Sequence, residues 1–85
     1  MFFMYILKSE KDGELYIGST GNLKNRIEEH NTGKVFSTKQ RAPFKLVYCE
    51  GYCAEGEARR REKNLKLRAR ALRQLLLRIE DSIRL

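Results

Sequence analysis

Residues 2–20 read Phe2-Phe3-Met4-Tyr5-Ile6-Leu7-Lys8-Ser9-Glu10-Lys11-Asp12-Gly13-Glu14-Leu15-Tyr16-Ile17-Gly18-Ser19-Thr20. Two runs of aromatic and aliphatic residues flank a polar segment that ends in Asp-Gly, the pattern of a β-hairpin with strands over 2–8 and 14–19. The first run is apolar at odd and even positions alike, which suits a central strand buried on both faces. It is interrupted by Lys8, Glu10 and Lys11 too soon to be a signal peptide or a membrane span. Two registers are open. A loop over Ser9 to Asp12 sets Tyr5 opposite Tyr16, and a tight Asp12-Gly13 turn sets Tyr5 opposite Thr20 and Tyr16 opposite Ser9. Both leave the tyrosines on one face, because side chains alternate with period two. The first is preferred if the tyrosines share a site, since it alone brings them within about 5.5 Å.

Outward from the hairpin, Asn22 reads as an N-cap and Gly33 as a stop, which predicts a helix over 22–31. An irregular loop over 33–43 ends at Pro43, a third strand follows over 45–51, and helix resumes from about residue 54. The order β-β-α-β-α(-α) predicts an α+β fold, a three-stranded antiparallel sheet flanked by helices. One domain is expected over 1–85, with a core at about 2–66 and a C-terminal amphipathic helix at about 68–85. In that helix Leu65, Ala69, Leu72, Leu76, Ile79 and Ile83 recur at spacings of four and three, with no visible breaker. The stripe either folds back on the sheet, giving a monomer, or seams against a second copy as a homodimer; fold-back is preferred.

Several polar residues fall where apolar ones belong. Leu23, Arg26, Ile27 and His30 lie at i, i+3, i+4 and i+7, so an arginine and the chain's single histidine share the inward stripe of the first helix. On the later helix Ala58, Glu62 and Leu65 form the inward stripe, which places a carboxylate among apolar neighbours. Edge snorkelling, a satisfied core histidine and a half-buried ion pair would explain each one singly. Beside two tyrosines on one sheet face, the set reads as a phosphodiester-cleaving site, with Glu62 a candidate ligand for a hard cation.

The residues Phe3-Met4-Tyr5, Leu15-Tyr16-Ile17-Gly18-Ser19-Thr20, Leu23-x-x-Arg26-x-x-x-His30-Asn31-x-Gly33, Leu46-Val47-Tyr48 and Glu57-Ala58-x-x-x-Glu62-x-x-Leu65-Lys66 carry a resemblance. In this order and spacing they are similar to the GIY-YIG endonuclease superfamily, specifically to its small stand-alone members. That group includes homing endonucleases, some restriction enzymes and the catalytic part of an excision-repair nuclease subunit. The resemblance implies a metal-dependent endonuclease that hydrolyses DNA, in repair or processing, with Mg²⁺ or Mn²⁺ as cofactor. It makes Tyr16 the general base, with His30 beside it and Tyr5 completing the cluster. Arg26 would contact the scissile phosphate and Glu62 would be the single metal ligand. The chain departs from the family pattern in three places. Phe3 replaces the first glycine, no asparagine follows Asn64, and the loop offers Ser37, Thr38, Lys39 and Arg41 with no assigned role.

Charge fits a polyanionic partner: 18 Lys and Arg against 11 Asp and Glu give a net +7. Lys39 and Arg41 in the loop, with Arg59, Arg60 and Lys63 on the later helix, are the candidate phosphate contacts. Cys49 and Cys53 have no Cys or His nearby to complete a zinc site, and a reduced cytoplasmic setting is expected. The alternatives are a nucleic-acid-binding module that cuts poorly, and an interaction domain that dimerises through its C-terminal helix. High sequence specificity is not expected of so short a chain.

Overall fold

The computed structural model describes residues 1–85. Strand β1 (Phe2–Ser9) lies at the centre of an antiparallel sheet, between β2 (Leu15–Thr20) and β3 (Phe44–Tyr52). Helix α1 (Leu23–Asn31) follows the hairpin, and α2 (Glu55–Leu67), α3 (Ala69–Arg78) and α4 (Glu80–Arg84) close the chain. The α+β architecture expected from the sequence is the one observed.

As a central strand, β1 is buried on both faces at Met4, Tyr5, Ile6 and Leu7. Tyr5 and Leu7 point to the α1 side, where they cluster with Phe44 and with half-buried Tyr16, Leu23 and Ile27. Met4 and Ile6 point the other way, onto Leu65, Leu75 and Ile79. The sheet is thus sandwiched between α1 with the 33–43 loop and the C-terminal helices.

The hairpin takes neither expected register. Tyr5 pairs with Gly18 and Leu7 with Tyr16, midway between the two alternatives. The turn chemistry explains this. The Ser9 hydroxyl accepts from the N–H groups of Lys11 and Asp12, the Asp12 carboxylate accepts from Glu14 N–H, and Gly13 closes the loop at φ +75°. A tight Asp12-Gly13 turn would discard the Ser9 cap, and a Ser9–Asp12 loop would draw the left-handed Gly13 into a strand. Parity survives, so the tyrosines still share a face.

Local signals placed α1 correctly: the Asn22 side chain caps Asn25 N–H, and Gly33 follows the helix at φ +77°. Asn31 then ties the helix end to β3 by accepting from Phe44 N–H and donating to Phe44 C=O. A β-bulge falls between the pairs Ile6–Tyr48 and Leu7–Leu46, with Val47 the extra residue. Consequently Tyr48 and Val47 both pack toward the C-terminal helices, whereas Phe44 packs toward α1.

The C-terminal segment is not one helix. Arg68 adopts an extended conformation (φ −121°, ψ 95°), and Ile79 interrupts the chain again. These breaks fold α3 back so that Leu75 and Ile79 join Leu65 on the sheet, the fold-back arrangement preferred above. Lys8 fixes the end by donating to Ile83 C=O at 2.8 Å.

Candidate active site

Tyr5 reaches across its neighbouring strand at Gly18. A Cβ at Gly18 would lie 2.5 Å from the Tyr5 hydroxyl and 2.6 Å from its ring, so the glycine of Tyr16-Ile17-Gly18 is required by close approach. In this path Tyr5 is fully buried and its hydroxyl meets His30 Nε2 at 2.9 Å. His30 Nδ1 meets Thr38 Oγ1 at 2.8 Å, and Thr38 in turn donates to Val35 C=O. With the proton of the neutral ring assigned to Nδ1, as the Thr38 contact with Val35 favours, Nε2 accepts from the Tyr5 hydroxyl.

The environment matches this assignment. Burial, reinforced by the positive charge of Arg26, holds the His30 pKa below its ordinary value, so the ring is neutral. Burial likewise pushes Tyr5 up to about 12, although Arg26 beside its hydroxyl pulls in the opposite direction. Tyr5 is therefore a fixed hydrogen-bond donor and a poor base. Tyr16 differs. Its ring lies edge-on to His30 with centroids 4.8 Å apart, and 6.3 Å from Tyr5, while its hydroxyl has no protein partner. Phe44 closes the aromatic cluster 5.8 Å from His30.

Arg26 stands one turn before His30, partly exposed, and is steadied by Glu29 at 3.0 Å. His30 is fully buried with both ring nitrogens engaged. This puts it against the Tyr16 ring, in a position to hold the tyrosines and away from solvent.

Glu62 arrives from the opposite side of the sheet, around the edge strand β2. Ser19 donates to its Oε1 at 2.6 Å and Lys66 to its Oε2 at 2.6 Å. Burial would raise the Glu62 pKa, but these two hydrogen bonds and the charges of Lys66 and Arg59 outweigh it, leaving a carboxylate more acidic than usual. Lys66 Nζ also sits 5.8 Å from the centre of the Tyr16 ring, so one ammonium links the tyrosine side of the site to the carboxylate. No group of three or more His, Cys, Asp or Glu gathers anywhere in the chain. A lone half-buried carboxylate is the kind of donor a hard cation takes when it keeps most of its waters, and the partly exposed Lys66 is the group such an ion would displace from Glu62.

Two open grooves flank the centre. One, of about 400 Å³, runs between Tyr16, Lys66 and the loop residues Ser37, Thr38 and Arg41. The other, of about 480 Å³, lies between Ser19, Arg59, Glu62, Lys63 and Lys66. Arg41 is partly committed, ion-paired to Asp12 at 3.2 Å and placed over Phe44. Lys39 covers the Phe36 ring at 4.8 Å. Arg60 is exposed but lines neither groove. The site thus unites Tyr5, Tyr16, Arg26, His30 and Glu62. It adds Thr38 and Ser19, whose contacts with His30 and Glu62 follow no helical spacing, and Lys66, which stands one turn after Glu62 at i+4.

Comparison with known proteins identifies the family of the fold. A family model described as the GIY-YIG catalytic domain matches residues 1–75. A UPF0213 protein of Staphylococcus haemolyticus is 44% identical over 93% of this chain and 94% of its own length. A UPF0213 protein of Streptococcus pneumoniae is 37% identical over 88% and 76%. The solution structure of a UPF0213 protein from Bacillus halodurans superposes with a TM-score of 0.56 at 32% identity, covering 93% of this chain and 87% of that one. With its sheet, its paired tyrosines and a family match across most of its length, the chain belongs to the GIY-YIG family of nuclease domains.

Proposed function

We propose that the protein is a divalent-metal-dependent endonuclease that hydrolyses phosphodiester bonds in DNA, serving repair or processing. The observation that carries this reading is the contrast between the tyrosines. Tyr5 is buried and spends its proton on His30, whereas Tyr16 presents an unpartnered hydroxyl at the groove. Tyr16, once its phenolic proton has passed to solvent, is then the group that takes the proton of the attacking water. Tyr5, His30 and Thr38 form a directed chain that holds Tyr16 and the head of the loop in place. Arg26, tethered on one side by Glu29, offers its remaining N–H groups to the phosphate as negative charge builds on it. Glu62 would hold the cation, Mg²⁺ or Mn²⁺, which when bound supplies Lewis-acid stabilisation of the phosphate and leaving oxygen. Arg59 and Lys63 on one side and Lys39 and Arg41 on the other supply backbone grip.

A second reading, a nucleic-acid-binding module without cleavage, is favoured by the Lys66–Glu62 pair, which already neutralises the single carboxylate. One assay separates the two: incubation of the protein with single-stranded, nicked, flapped and duplex DNA in Mg²⁺ or Mn²⁺. Cleavage is expected to stop in chelator, in Glu62→Ala and in Tyr16→Phe, with unchanged thermal midpoints. Binding without a cut on any substrate selects the second reading.

A further inference from the structure

Of the eight aromatic side chains, seven are buried or half-buried, and Phe36 alone is exposed, at 83%. An exposed phenyl ring could be an accident of a loose loop, but this one is held. Thr38 N–H donates to Val35 C=O, which makes Phe36 and Ser37 the tip of a tight turn. Thr38, at the foot of the turn, is 2% exposed and its hydroxyl accepts from His30. Two residues span at most about 7 Å. Phe36 is therefore fixed within about one nucleotide step of the groove that Ser37, Thr38 and Tyr16 line. Lys39 lies over the ring, which leaves its other face free.

We infer that Phe36 is a stacking platform for an unpaired nucleobase adjacent to the scissile phosphate, so that the substrate is single-stranded or flapped at the cut. The inference rests on the nuclease reading above and names its substrate class. The chemistry selects this occupant. A flat apolar face beside an ammonium group, next to a phosphodiester site, matches a base with its phosphate attached. In a duplex the same base is stacked on its neighbours and its face is not available, so Phe36 contributes nothing there.

Binding measured in chelator, where no cleavage occurs, tests the idea with the full chain. The probes are a single-stranded oligodeoxynucleotide and a blunt duplex of the same sequence. Phe36→Ala is expected to weaken single-strand binding by roughly ten- to a hundredfold and to leave duplex binding within about twofold of the parent. The chain contains no tryptophan, so Phe36→Trp introduces a sole indole. It is expected to bind the single strand as the parent does, with its emission quenched by the single strand and unaffected by the duplex. Equal loss on both probes, no loss on either, or an unquenched indole in a variant that still binds would overturn the stacking role. If the parent cleaves while the indole stays unquenched, the nuclease reading stands and only this inference falls. A parent that binds neither probe in chelator removes this inference, and cleavage in Mg²⁺ or Mn²⁺ decides the nuclease reading separately.

Discussion

A single methyl group on Gly18 would collide with the Tyr5 ring, and that ring passes close to the β2 backbone in order to reach His30. Gly18→Ala is expected to lower stability by about 1–3 kcal/mol, read as a drop in thermal midpoint, and to disturb the His30 contact. His30 itself has a measurable signature. Its pKa is depressed in the folded state, so the unfolded chain binds the proton more readily. The stability it contributes is complete above about pH 6.5 and is lost as pH falls through the folded value. The carboxylates with lowered pKa, Asp12, Glu50 and Glu62, act only in the more acidic range below their ordinary values. Melting the parent and His30→Gln between pH 8 and pH 5 should show a decline near pH 6 in the parent alone; identical curves would deny the buried neutral ring. Lys66 can be isolated in the same way. Lys66→Met removes the ammonium from Glu62, so Mn²⁺ should bind roughly two- to fivefold more tightly, the scale of a partly exposed ion pair. Titration followed by electron paramagnetic resonance would detect it. Unchanged affinity would mean that the cation does not meet Glu62.

Where one helix ends and the next begins is the element that sequence reading handled least well. The strands and α1 were legible because each carries a local code: apolar runs between turn residues, an Asn22 cap, a Gly33 stop. The spacing of Arg26, His30 and Glu62 was legible for the same reason, since period 3.6 assigns a residue to a helix face. The break at Arg68 has no such code. Neither glycine nor proline marks it, and its extended backbone lets Leu65 on α2 and Leu75 on α3 reach the same Met4 and Ile6. Tertiary burial overrides an uninterrupted helical pattern there. The hairpin register was missed because a side-chain cap at Ser9 decided it. If α3 is a structural wall, Leu75→Ala should cost about 2–5 kcal/mol by denaturant unfolding while the unfolded-corrected cleavage rate is kept. A loss well under 1 kcal/mol would place α3 outside the cooperative core.

At the scale of the molecule, part of the positive charge borders the site. Arg59 and Lys63 border the groove that holds Glu62, and Lys39 and Arg41 stand on the loop across from them. Reversal of Arg59 or Lys63 to Glu should weaken duplex binding for every sequence alike and reduce the log-log salt slope by about one unit per lost contact. Arg60→Glu, outside both grooves, should leave the slope nearly unchanged; three equal slopes would mean a diffuse basic surface with no defined track. No helix is long and apolar enough to cross a membrane. The bulge at Val47 bears on this whole arrangement. Before it, Phe44 faces His30. After it, Tyr48 and Tyr52 turn to the other face, where both donate to Glu50, which Arg61 of α2 also grips. Strict alternation cannot satisfy both halves. Held in a regular, unbulged strand, the same residues would have to give up either the aromatic seat under His30 or the anchor on the helix that carries Glu62. One surplus residue, absorbed in the bulge, thus acts as a phase shifter, keeping Tyr16 and Glu62, which approach from opposite sides of the sheet, in step with each other.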